Sequence, residues 1–443
     1  MKKRFLNYPL ITLLLVTAFG CGSDSEDSQD LNEQIETIDA KVTSFSTEYA
    51  YVNDLVSILG ENFGSDITDT KVYLDNKAVE ITTANNTTIT IKVPEGVSVL
   101  PELKIEIPNT NVSFNDSYKS LAVLDNTKNK WITMGHDYNS IESIKDFRGV
   151  DKEKVYFSIQ NNSSNDVFEV IKSFNGGASI SNINQDHNFL DGGFFLSSKD
   201  NEYSLRSLAL YRKNEKEESK LLNDFTQNGS WGLDFFVDND ESNIIVATSE
   251  GRIYKSTDTG STFDKVHEND PSNFEFDTFF ALSSNQVWLG GYTYPFPENK
   301  SYYPAKLLYL KDGNWTNKEI QIENKAGNYE YIKKIRFVDA TTGYAIAYIK
   351  NLSGDEKYVI IKSETKGDIW SIIHESSSKV EAFAFKNKDI GWYISGKNIF
   401  KTVDGGASWE LYYTNDTDCK GILYNEDTLW VIANGKILKH YFK

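Results

Sequence analysis

Apolar and polar residues alternate with a period of two along most of this 443-residue chain, in short runs bounded by Gly, Asn, Asp and Ser. That is the pattern of β-strands with one buried face. From Ile38 to Leu124 the runs KVTSFST, LVSILGENFG, TKVYLDNKAVEI, TTITIKVPEG and LKIEIPNTNVSF predict a β-sandwich over residues 38–125. From Asn129 onward the runs fall into sets of four. One set reads GLDFFVDN, IIVATSE, RIYKSTD and TFDKVHE, and the second strands of later sets echo each other as NQVWLGGY, TGYAIAY, IGWYISG and TLWVIANG. Two earlier sets, around Lys145 to Ile183 and Phe189 to Asn223, are less distinct. The 315 residues from 129 to 443 divide into seven sets of 45, a usual size for one blade of a β-propeller. The last set stops after its third strand. The isolated run NKWITMG, residues 129–135, is expected to supply the missing fourth strand and so leave no open sheet edge. The expectation is an all-β chain: a sandwich followed by a seven-bladed propeller.

Between the third and fourth strands of several sets lies a polar turn. Thr402 to Trp409 reads TVDGGASW and Ser256 to Phe263 reads STDTGSTF, with Ser173 to Ile180 and Ser363 to Trp370 as looser copies. A carboxylate such as Asp404 or Asp258 accepts bonds from backbone N–H groups just ahead of it, and Gly406 or Gly260 supplies a positive φ. Trp409 or Phe263 then enters the next strand as a wedge. These acids are expected to be structural, because their acceptors are used within the turn. The motif resembles the Asp-box (BNR) repeat, found in propellers of sialidases, sortilin-like receptors and photosystem assembly factors. In the sandwich, Gly60, Asn62, Phe63 and Gly64 followed by ITIKVPEG resemble IPT/TIG immunoglobulin-like domains, with Phe63 expected as a core plug.

The first residues break the strand pattern. MKKRF is basic, Leu10 to Phe19 is an apolar run, and Ala18, Phe19 and Gly20 lead into Cys21. This resembles a bacterial lipoprotein signal over residues 1–20, with Cys21 as the lipidated N-terminus of the mature chain, although Leu is missing from its usual place before the Cys. Residues 21–37 are acidic and lack aromatics, so a flexible tether is expected. It is similar to the export tag of surface lipoproteins of the Bacteroidetes type. That resemblance implies an outer-membrane protein, lipid-anchored and facing the cell exterior.

Composition narrows the partners. With 46 basic and 64 acidic residues the formal charge is −18, and loss of Lys2, Lys3 and Arg4 takes it to −21. Nucleic acid is a poor partner for such a chain. The two cysteines are Cys21 and Cys419, and the five histidines are scattered without metal-ligand spacing. No metal or cofactor is expected, Cys419 reads as a core thiol, and the protein is expected to be monomeric.

Candidate function lies in the loops between second and third strands, on the face away from the Asp-box turns. Several are long, and Gly291 to Ala305 (GYTYPFPENKSYYPA) carries Tyr292, Tyr294, Phe296, Tyr302 and Tyr303. Stiff aromatic side chains of this kind suit sugar rings or a protein partner. Equally, they are the residues of two extended strands that pack on the next blade. Tyr203 and Arg206 lie beside a neighbouring long loop. The expected function is non-catalytic binding of extracellular glycan, with a structural or adhesive protein–protein module as the alternative. A sialidase-like glycoside hydrolase is the further alternative. That family's clasp needs three arginines and an R-I-P strand. Beyond Arg4, this chain has Arg148, Arg206, Arg212, Arg252 and Arg336, and no R-I-P.

Overall fold

The computed structural model describes residues 38–442 apart from 65–67, 117, 128, 137–140, 162–167, 183–192, 198, 200, 207, 215–218, 226–231, 270–273, 295–301, 312 and 324. Residues 1–37, which hold the expected signal, Cys21 and the expected tether, and Phe296 lie outside the described residues. Every element among the described residues is a strand.

The strands between Ile38 and Leu124 form a five-stranded, a three-stranded and a two-stranded sheet. Their alternate residues, among them Val42, Ile58, Val72, Leu74, Ile89 and Ile91, meet in one core around Phe63. Gly60 makes room for that ring. A Cβ there would stand 2.3 Å from Phe63 and 2.2 Å from the carbonyl of Lys41.

Among the described residues, the rest of the chain forms seven four-stranded antiparallel sheets. In order, their first strands are Ile141–Gly149, Phe194–Leu196, Gly232–Val237, Phe274–Ser283, Asn328–Phe337, Ala382–Phe385 and Cys419–Asn425. Residues of all seven line one central cavity, and the first strand of the seventh sheet packs against that of the first. Six sheets are made of consecutive strands. The seventh takes Trp131–Gly135 as its outer strand, antiparallel to Lys436–Tyr441, with Trp131 opposite His440 and Gly135 opposite Lys436. The Trp131 ring stacks at 4.6 Å on Tyr413, in the outer strand of the sixth sheet. Between sheets the cores are aromatic and aliphatic: Trp288 of the fourth sheet lies 3.8 Å from Phe337 of the fifth, and Cys419 is fully buried between the sixth and seventh. Burial pushes that thiol up to about 12.

The four polar turns share one hydrogen-bond pattern. The Thr402 hydroxyl donates to Asp404 at 2.7 Å and accepts from the Gly406 N–H at 2.9 Å, while Asp404 accepts from the Ser408 N–H at 2.9 Å and its hydroxyl at 2.6 Å. Ser256, Asp258, Gly260 and Thr262 repeat this at 2.7 to 2.9 Å. Asn175 accepts from the Ser179 N–H, and Thr365 from the Ile369 N–H. Gly177, Gly260, Gly367 and Gly406 have φ between 83° and 102°, where a side chain would be strained.

The sandwich docks on the face that carries these turns. Leu124 and Ala122 pack with Ala178 of the first sheet's turn, alongside Tyr49, Tyr51 and Val99. Beneath them Glu153, wholly buried, pairs with the equally buried Lys439. Glu153 also accepts bonds from the hydroxyls of Tyr51 and Tyr441, the latter at 3.1 Å. One carboxylate thus joins the sandwich, the first sheet and the seventh.

Candidate functional site

At the opposite face, the ends of the fourth and fifth sheets carry a row of tyrosines. Tyr331, Tyr348 and Tyr358 stand directly opposite one another on three successive strands of the fifth sheet. Cross-strand partners share a face, and their ring centroids are 5.5 and 5.2 Å apart. Tyr292, from the fourth sheet, extends the row with its centroid 4.8 Å from Tyr331, and Tyr294 follows at 6.2 Å. Tyr294 is 50% exposed, and the other four rings are half-buried.

Strand length explains why these rings are not covered. The fifth sheet's second strand, Gly343–Asn351, has nine residues, and that of the sixth sheet, Gly391–Ser395, has five. Counted from their common end, Tyr348 is level with the tight turn at Gly396. The fifth sheet therefore projects past its neighbour. Charged pairs frame the projection: Lys333 with Asp277 at 2.6 Å, Lys350 with Glu356 at 3.1 Å and Lys379 with Glu381 at 2.7 Å. The Lys333 ammonium also lies 5.1 Å above the Tyr331 ring and 5.6 Å above Tyr292, a favourable cation–π arrangement.

The structure divides the other expected site residues between packing and surface. Tyr303 is buried and stacks on Tyr329 at 4.6 Å, and its backbone bonds to Asn328 and Glu330. Tyr302 donates to Glu330 at 2.5 Å. This leg of the loop is stitched to the fifth sheet, the strand-like arrangement left open by the sequence. Tyr203 is fully buried in the second sheet, and its hydroxyl donates to Glu241 at 3.0 Å. Arg206 lies 4.5 Å over the Tyr211 ring and donates to Ser204. Both residues therefore serve the packing of the second sheet, away from the row on the fourth and fifth. Tyr331, Tyr348 and Tyr358 escaped the sequence reading because only strand register aligns them.

The central cavity, about 540 Å³, is a different environment. Phe195, Phe236, Phe280, Phe337, Phe385 and Tyr424 contribute to its wall, together with Arg148, Lys334 and Arg336. Arg148 bonds Asp146 at 2.6 Å and Asp234 at 2.7 Å. Burial opposes its charge, but the two carboxylates hold it well above its ordinary value. Burial raises Asp234 despite Arg148. Arg336 stands 3.9 Å from Asp146, bonds the carbonyl of Ile335 and lies over Phe280. Burial lowers it, with Asp146 opposing and Arg148 adding to the effect. Two arginines converge here, whereas Arg206 and Arg212 stand on the second sheet and Arg252 pairs with Glu250 and Glu268. Among the described residues, no group of His, Cys, Asp and Glu is arranged to hold a metal.

The family model that matches the chain is the IPT/TIG domain, over residues 40–120. No curated protein matches the sequence. Among solved structures, the chain is similar to YCF48 bound to D1 peptide, at 12% identity and a TM-score of 0.50 over 72% of this chain and 99% of that one. It is also similar to YCF48 from Cyanidioschyzon merolae, at 13% identity and a TM-score of 0.50 over 70% of this chain and 98% of that one. An auxiliary nutrient binding protein from Bacteroides thetaiotaomicron VPI-5482 aligns over 90% of this chain and 97% of its own, but at 12% identity and a TM-score of 0.36 that likeness is too distant to speak for function. Residues 40–120 are thus an IPT/TIG domain, joined to an all-β body of propeller-like fold.

Proposed function

We propose that this is a non-catalytic binding protein of the cell surface that recognises extracellular glycan through the tyrosine row. In this reading Cys21 carries the lipid anchor at the outer membrane, and the chain is monomeric. The IPT/TIG domain holds a seven-bladed propeller whose four polar turns are Asp-box repeats and whose ring is closed by residues 129–135. The observation that carries the function is the row of Tyr294, Tyr292, Tyr331, Tyr348 and Tyr358, which lies on the face away from the docked sandwich. Aromatic faces give sugar rings a flat apolar support, and the flanking ion pairs supply hydrogen-bond partners for hydroxyls. Two features favour binding over hydrolysis. The carboxylates Asp146 and Asp234 beside the cavity cations are both engaged by Arg148, and two arginines stand where a sialidase clasp needs three.

A glycan array, followed by calorimetry on the best ligand, tests the proposal. Tyr331→Ala with Tyr348→Ala should weaken glycan binding at least tenfold while the melting temperature stays within a few degrees, since both rings are half-buried at a sheet end. Retained affinity would reject the row as the site. Capture of an envelope protein, with no glycan bound, would replace the glycan reading by the adhesive one. Radiolabelled palmitate entering the wild type but not Cys21→Ala checks the anchor.

A further inference from the structure

We propose that the central cavity is a second binding site, separate from the tyrosine row, for a small ligand bearing a single carboxylate on a flat apolar body. Three cations, Arg148, Lys334 and Arg336, face two carboxylates, Asp146 and Asp234, and both carboxylates bond Arg148. Arg336 is left with a 3.9 Å approach to Asp146. Lys334, two residues earlier on the same strand, shows no hydrogen bond or ion pair among the described residues. Among the described residues, Lys334 and Arg336 therefore face the cavity with no carboxylate at hydrogen-bond distance, because the acids nearest Lys334 are already engaged, Asp146 by Arg148 and Glu381 by Lys379. Cations partly withdrawn from water are stabilised by an anion. One carboxylate, with its two oxygens, can serve both.

The walls choose the rest of the ligand. Aromatic residues, among them Phe195, Phe236, Phe280 and Tyr424, line the same cavity as the cations, and the Arg336 guanidinium already stands over one of them, 5.3 Å from the Phe280 centroid. A planar apolar group extends that stacking and displaces water from apolar surface. The volume of about 540 Å³ falls within the range that small-molecule sites occupy. The lining reaches Val338, Lys386, Asn425 and Glu426 at the strand ends that share a face with the polar turns. The ligand therefore enters from the side on which the sandwich docks, and the tyrosine row stays clear of it.

Calorimetry on the whole protein with 3-phenylpropionate, its amide and inorganic phosphate tests the site. The acid should bind saturably, the amide at least tenfold more weakly, and phosphate more weakly than the acid. Lys334→Met and Arg336→Gln should each lower affinity for the acid at least tenfold, whereas Lys104→Met, which removes a cation paired with Glu106 in the sandwich, should leave it unchanged. Equal binding of acid and amide, or wild-type affinity in Lys334→Met, would overturn the proposal. A third measurement needs no variant to fold. Burial and Arg336 lower Lys334 to about 8, with Lys379 acting the same way and Asp146 and Glu381 opposing, so wild-type affinity for the acid should fall between pH 7 and pH 9.5. A flat profile there would also count against it.

Discussion

Asp258 and Asp404 are fully exposed acids that nonetheless titrate far from the usual range. The backbone N–H and hydroxyl of Thr262 hold Asp258 at about 2, and the hydroxyl and N–H of Ser408 hold Asp404 at about 2, against an ordinary value of 3.8. A depressed carboxylate contributes stability that is complete above its unfolded value and is lost as pH falls through the folded one. The two turns should therefore loosen between about pH 4 and pH 2. Thermal melts across that window should show a steeper acid loss for the wild type than for Asp258→Asn with Asp404→Asn; parallel curves would mean the turns contribute nothing. These residues were legible in the sequence because everything they bond lies within four positions. Tyr203 was not. Its neighbour Glu241 is 38 residues away and meets it only through the packing of two sheets.

Among elements, strand length and strand register decide what periodicity cannot. Alternation announced the fifth sheet's strands but not that their tyrosines fall opposite one another, nor that Gly391–Ser395 stops short beside them. The turn at Glu153 is another case. Its sequence, VDKEK, looks like any polar reversal, yet the structure buries its glutamate against Lys439 and two tyrosine hydroxyls. Removing one partner of a buried pair strands the other. Glu153→Ala should cost about 3–5 kcal/mol in urea unfolding, and adding Lys439→Met should recover most of it. If the single change costs less than about 1 kcal/mol, the junction carries no weight in stability.

For the whole molecule, the recurring sets of four strands were readable because each repeats one pattern, and the sandwich because its glycine and phenylalanine occupy a recognisable turn. How the two parts meet was not readable, since contacts such as Leu124 with Ala178 join unrelated stretches. Deleting residues 131–135 should unfold the entire propeller-like body in one transition at a lower temperature. It removes the ring of Trp131 from Tyr413 and the buried Met134 from its core, a loss on the order of 5 kcal/mol. An unchanged melt of the remainder would show that the sheets are independent.

The pairing of Trp131–Gly135 with Lys436–Tyr441 also sets an order of events. Of the body's strands, the first to be synthesised is completed by the last, across about 300 residues of chain. Until the C-terminus is released, residues 131–135 have no partner, and a ribosome that stops early leaves an open edge at each end of the array. The same hydrogen bonds made between two full-length molecules before either closes, the end of one to the beginning of the next, produce a head-to-tail string in place of a closed unit. A chain cut before Lys436 lacks the pairing strand altogether and cannot close, so truncated products should be found aggregated through their open edges.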